Sequence, residues 1–182
     1  MKVSGNFGQD TTKAIDRLLN KVDRAMKDTT IELFTSVVAK TPIKTGEAIS
    51  SYQASVKSPT NGVGIQYFNP NEDTNTEWSR AKAYQLAQDF KLNITPLIYA
   101  GGIADNVYLT NDCPYILKLE NGGYAVPPVE YHMVLPPYYT NRAVPFTLTA
   151  GGYSKKAPSG MFKLTVIEAN ETFKRNFDKV GV

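Results

Sequence analysis

The 182-residue chain has a single cysteine, Cys113, and a single histidine, His132. One cysteine excludes an internal disulfide, so the fold must stand on its core, and assembly in a reducing cytosol is expected. No Cys or His pair sits at zinc-ligand spacing and no acid-rich calcium loop is present, so no metal site is expected. Nucleophilic catalysis wants Ser, Cys or Thr beside a histidine base. Here His132 lies in a Pro/Tyr-rich stretch and Cys113 is followed directly by proline, and their plain readings are a surface imidazole and a small buried thiol. Gly101-Gly102 and Gly122-Gly123 lack both glycine-rich phosphate-binding patterns, so no cofactor is expected. A carboxylate pair stays open on composition, but no spacing supports one. The expectation is a protein that is not an enzyme, with no catalytic residues.

Long apolar runs are also lacking. None approaches the roughly 20 residues that span a bilayer, so no membrane partner is expected. Met1 to Asn6 has no apolar core of a secretory signal. Charge of one sign is scarce too: the net formal charge of +3 is too small to argue for a nucleic-acid-binding surface by itself.

What is present suits one α+β domain over residues 1–182: hydrophobic residues are 42 % of the chain and charged residues 20 %, enough for a packed core. From Thr12 to Lys40 apolar residues fall at Ile15, Leu18, Leu19, Val22, Met26, Leu33, Val37 and Val38, the period of an amphipathic helix. A capping-box pattern at Thr29–Glu32 leaves a break near Asp28 open, and Thr41-Pro42 ends the helix. Ala48 to Lys57 reads as a strand, and Val63 to Phe68 as its hairpin partner across Pro59-Thr60-Asn61-Gly62. Thr74-x-x-Glu77 opens a second helix with Trp78, Ala81, Leu86 and Phe90 on its apolar face and Tyr84 beside it. Pro96 to Ala100 and Val107 to Thr110 read as two further strands, giving a mainly antiparallel sheet.

Pro114 suits a first helical turn, so Tyr115 to Glu120 is expected to form a short helix stopped by Asn121-Gly122-Gly123. Composition then shifts. Tyr124 to Gly152 contains Pro127, Pro128, Pro136, Pro137 and Pro145, together with Tyr124, Tyr131, Tyr138, Tyr139 and Phe146, yet only Glu130 and Arg142 carry charge. Paired prolines forbid a regular helix, and so few charges argue against a solvated linker. An extended arm or long loop inserted in the domain, burying its aromatics against something, is expected over 124–152. From Ser159-Gly160 to Val180 a final helix is expected with Val166, Ala169, Phe173 and Phe177 on one face, although Leu164 to Ile167 also fits the start of a strand. Residues 155–182 carry six Lys or Arg against three acids, an excess equal to the net charge of the whole chain.

Two binding readings attach to these segments. Phe173-Lys174-Arg175-Asn176-Phe177 interleaves bases and aromatics as single-strand binders do, against the plainer reading of a helix with aromatics inward and charges in water. Tyrosines of the arm invite a carbohydrate- or receptor-binding face; tyrosine and proline also make efficient protein interfaces, which is the favoured reading.

Two segments then stand out: Asn111-Asp112-Cys113-Pro114-Tyr115-Ile116-Leu117-Lys118-Leu119-Glu120-Asn121-Gly122 and Ala157-Pro158-Ser159-Gly160-Met161. With Ala39-Lys40-Thr41-Pro42 running to Thr45-Gly46, they resemble, in order, the motifs of the phage head–tail joining, or tail-completion, family related to the lambdoid minor tail protein Z. The resemblance implies a structural virion protein at the head–tail junction, assembled in the host cytoplasm. It implies a ring of copies, a hexamer favoured, bound to adjoining neck or connector and tail proteins. DNA would pass through the lumen without sequence-specific binding. It further implies that Pro114 and Tyr115 shape the turn after the sheet and that Leu119 packs in the core. Glu120 and Gly122 would set the helix end, while Ala157, Pro158, Gly160 and Met161 start the last helix against it. The chain departs from the family by the 30 residues Tyr124 to Tyr153 between the two segments and by an asparagine-rich insertion at Asn69 to Asn75.

Overall fold

The computed structural model describes residues 7–43, 46–59, 62–67, 76–102, 104–122 and 159–181. The arm, with Tyr124, Tyr131, Tyr138, Tyr139 and Phe146, lies outside the described residues, as do Ala157 and Pro158. The elements run α1 (Phe7–Lys40), α2 (Glu47–Ser50), β1 (Tyr52–Val56), β2 (Val63–Gly64), α3 (Thr76–Ala100), β3 (Val107–Asn111), α4 (Ile116–Asn121) and α5 (Phe162–Lys179). The fold is α+β: a three-stranded antiparallel sheet in the order β2-β1-β3, with a long N-terminal and a C-terminal helix.

Helix α1 is unbroken, about 50 Å long at 1.5 Å per residue. At Thr29 the capping-box pattern goes unused because the Thr29 hydroxyl donates to the Ala25 carbonyl at 2.6 Å inside the helix. Thr35 and Thr41, the latter just past the helix end, do the same to Ile31 and Val37, so each buried hydroxyl donates to the carbonyl four residues back. The C-terminal part of α1 lies between α3 and α5 and buries Ile31, Val37 and Val38. Residues 8–20 are all exposed, so about 20 Å of helix projects beyond the packed body.

Helix α3 corrects the strand expected at Pro96 to Ala100, which is its last stretch. A proline inside a helix removes one backbone bond. Against that, Ala83, Leu86, Ala87, Phe90, Ile94 and Ile98 form one buried stripe at spacings of three and four. A fully buried isoleucine contributes about 1.5–3 kcal/mol, so Ile98, with half-buried Leu97 packed beside it beyond Pro96, offsets the roughly 3 kcal/mol that an interior proline costs. Ala81 and Tyr84 are exposed, so the buried face lies to one side of the expected one.

Residues expected to begin a strand at Ala48 instead form α2, which buries Ala48 and Ile49, and only Tyr52 to Val56 extend. β1 is the central strand. It pairs with β2 through Gln53↔Gly64 and with β3 from Tyr52↔Asn111 to Val56↔Val107. Among described residues β2 spans only Val63 and Gly64, shorter than expected. In α5 the face toward the core also differs from expectation. Thr165, Thr172 and Asn176 are buried, Ala169, Phe173 and Phe177 are half-buried, and Val166 is exposed. Asn176 Nδ2 donates to Thr29 Oγ1 at 3.3 Å, so the α1·α5 contact includes a buried polar pair. Leu164 to Ile167 are helical.

Candidate functional site

At the end of β3 the chain must turn and start a helix, and Asn111 organises that turn. Its side-chain oxygen accepts the Cys113 N–H at 2.9 Å, an Asx turn, while its amide donates to the Ala48 carbonyl at 2.8 Å. Pro114 follows, exposed, at a position where its missing N–H costs nothing. The Tyr115 carbonyl then accepts from Lys118 at 3.0 Å and Leu119 at 3.2 Å, opening α4. Tyr115 is half-buried beside Cys113 and Glu47. Burial first, then its contacts with Cys113 and Glu47, push its hydroxyl pKa well above the usual tyrosine value. Cys113 is buried and forms no disulfide.

The short helix α4 turns Leu119 and Glu120 inward together. Leu119 joins the core. Glu120 does something rarer for a carboxylate: only 8 % exposed, it faces the start of α5. Its Oε2 accepts the backbone N–H of Met161 at 2.7 Å and of Phe162 at 2.9 Å, and its Oε1 accepts that of Lys163 at 2.9 Å. A helix leaves its first N–H groups without intrahelical partners and carries partial positive charge at that end. Met161, the cap residue, has no side chain able to accept them and makes no such bond. The carboxylate of Glu120 supplies the cap from 41 residues away.

Two glycines make the approach possible. Gly160 sits at φ +79, and a Cβ there would lie 2.6 Å from the Glu120 carbonyl oxygen and 2.9 Å from its carboxyl group. Any side chain is therefore excluded twice, by conformation and by space. Gly122, at φ 74 and ψ −152, ends α4 in a region open essentially to glycine alone, and its N–H donates to the Lys118 carbonyl at 2.9 Å.

Around this clasp the other motif residues close up. Met161 is fully buried, and the Phe162 ring stands 6.2 Å from that of Tyr52, itself fully buried. Burial raises the Tyr52 hydroxyl pKa strongly, and a hydrogen bond with Thr41 at 3.2 Å offsets part of the rise. Lys40, next to Thr41, donates to Thr165 Oγ1 at 3.2 Å and to Glu168 at 2.7 Å. The three stretches picked out in the sequence, 39–42, 111–122 and 160–161, thus meet at one place.

Chemically the arrangement is a fastener. The Glu120 carboxylate is taken up by three amides, which places it to hold the start of α5. Among the described residues no group of three or more His, Cys, Asp or Glu gathers as a metal site. On α5, Lys174 and Arg175 are exposed while Asn176 between the two phenylalanines is buried. Arg175 forms an ion pair with Glu32 of α1. Sequence reasoning missed the polar Thr165, Thr172, Asn176 stripe, whose only signal is a spacing of seven and four. It also placed Glu120 at a helix end without identifying the helix it caps.

No protein-family model, curated protein or solved structure matches this chain.

Proposed function

We propose that this chain is a structural protein of a tailed-phage virion, a neck or tail-completion ring subunit that joins the DNA-filled head to the tail, with no catalytic role. The observation that carries the reading is the Glu120 clasp. The two sequence segments that resemble the tail-completion family, separated by Gly123 to Lys156, are tied together through Glu120, which accepts from the three amides of Met161, Phe162 and Lys163. Residues with a family-like pattern therefore have a shared physical reason for being there. On this reading copies of the chain form a ring, a hexamer favoured, between neck or connector proteins and the tail, and DNA passes through its lumen without base-specific contacts. The arm at 124–152 is the surface that reaches a neighbour.

Silencing the gene in infected cells and imaging the particles tests this. Filled heads lying apart from tails, rescued by supplying the protein, are expected. Intact particles that fail to adsorb would instead favour a carbohydrate- or receptor-binding role for the arm, and normal infectious particles would end both readings.

A further inference from the structure

Helix α5 is held mainly in two ways, by the Glu120 clasp at its start and by the flank of α1 along its length. The connection that brings it to the clasp is far longer than closure needs. A Cβ at Gly160 would lie 2.6 Å from the Glu120 carbonyl oxygen, so the two ends joined by Gly123 to Pro158 are close together. A turn of about four residues bridges such a gap, whereas this connection has 36 residues. Closure within one chain weakens as the −3/2 power of connection length, roughly thirtyfold over that difference. Fully extended, the same residues reach about 120 Å, several times the roughly 30 Å width of a small domain.

The α1·α5 contact is also built as contacts between chains are. The side chains that α5 buries include Thr165, Thr172 and Asn176, while Phe173 and Phe177 are only half-buried. Ion pairs from Lys40 to Glu168 and from Arg175 to Glu32 join the two helices along its margins. Polar contacts of this kind are typical of surfaces that form and separate. With 18 residues α5 is marginal as a helix by itself, so it needs a docking site on one copy or another.

We propose that α5 is exchanged between copies, so that α5 of one chain is capped by Glu120 and packed on α1 of a second. The occupant is a second copy because the site is already fitted to this helix: three amides meet one carboxylate, Asn176 meets Thr29, and two ion pairs fix the register. Exchange remakes every one of these bonds between chains and gives up only the advantage of closure, which the long connection reduces. The inference deepens the ring reading, on which it rests for what the exchange builds, since neighbours in a ring hold each other's sites at close range.

Cysteines on the two sides of the contact test it in the full chain. Asn176 Nδ2 lies 3.3 Å from Thr29 Oγ1, and both residues are buried. One chain carries Thr29→Cys and the other Asn176→Cys, so neither closes this disulfide alone or with its own kind. They are mixed at several hundred micromolar, held briefly at the urea midpoint under reducing conditions, returned to buffer and oxidised. The unsubstituted chain, with its buried Cys113, sets the background. Both substitutions in one chain at low concentration should close internally; if they do not, Glu32→Cys and Arg175→Cys replace them. A disulfide heterodimer in excess over both homodimers is expected, with a yield that rises with concentration and falls roughly fourfold when Val126 to Thr149 are deleted from both chains. Sedimentation equilibrium of the unsubstituted chain after the same treatment should show a dimer. A chain that stays monomeric throughout would overturn the proposal, as would a dimer without the heterodisulfide, homodimers in equal yield, or a yield indifferent to the deletion. The outcome is separable from that of gene silencing: normal particles would sink the neck role with exchange standing, and a missing heterodimer would sink exchange with the neck role standing.

Discussion

Replacing Glu120 by alanine should cost the fold about 3–5 kcal/mol, and the structure says where the loss arises. The carboxylate accepts three backbone N–H groups at 2.7–2.9 Å. Hydrogen bonds to an ionised acceptor are worth about 1.5–3 kcal/mol each, and a negative charge at a helix N-terminus adds about 0.3–1 kcal/mol. The simple sum overshoots, since water entering the vacated space would solvate Phe162 and Lys163, which are not fully buried. Met161 is fully buried, so its N–H would stay unsatisfied, and loss of an N-cap alone costs about 0.5–2 kcal/mol. Glu120→Gln keeps the shape but loses the charge and turns one amide toward another, so about 2 kcal/mol is expected. Urea unfolding read by circular dichroism measures both, with an unchanged slope as the check that only stability has moved. Hydrogen exchange supplies the local signature: the amides of Met161, Phe162 and Lys163 should lose protection in Glu120→Ala more than those of α3 do. An alanine variant within about 1 kcal/mol of the unsubstituted chain would refute the clasp as a structural device.

Other consequences follow from neighbouring sites. Gly160→Ala forces a positive φ on alanine and drives its Cβ against Glu120, so a loss of about 2–3 kcal/mol is expected in the same unfolding assay. Ser55 Oγ is buried without a hydrogen-bond partner among the described residues, so Ser55→Ala should stabilise by up to about 1 kcal/mol, and a loss would mean that a partner exists. Tyr52 and Tyr115 have pKa values raised by burial, so their contribution to stability is fully present below the unfolded value of about 10 and is lost as pH rises through the higher folded values. Stability should therefore begin to fall above about pH 10, less steeply in Tyr52→Phe. Deleting Val126 to Thr149 and joining the ends with a short turn should leave a folded chain that fails to join heads to tails, because the clasp that holds α4 to α5 lies outside the deletion. Normal virions from that variant would make the arm dispensable.

How far the sequence could be read depended on whether the deciding interaction was local. The periodicity of α1 and the short helix after β3 were legible because repeated spacing and a Pro act within a few residues. Pro96 to Ala100 was misread because the rule that proline breaks helices is local, whereas the stripe from Ala83 to Ile98 that overrides it depends on packing against α1 and the sheet. The core-facing side of α5 was misread for a related reason. A search for an apolar face selected Val166, Phe173 and Phe177, while Asn176 and Thr172 are buried at the contact with α1, where Asn176 meets Thr29. Of the candidate site, Gly122 and Gly160 were legible as a helix stop and a helix start, while Leu119, Glu120 and Met161 were picked out by resemblance alone. Their meeting through one carboxylate spans 41 residues of sequence, and no spacing rule reaches that far.

A cryo-electron microscopy reconstruction of a tailed-phage neck assembled with this protein tests the proposed joining role most directly. The proposed neck role predicts a closed ring between head and tail in which each subunit fits α1, α3, α5 and the three-stranded sheet. Density for this fold at a fibre or baseplate, or a neck fully accounted for by other chains, would contradict it.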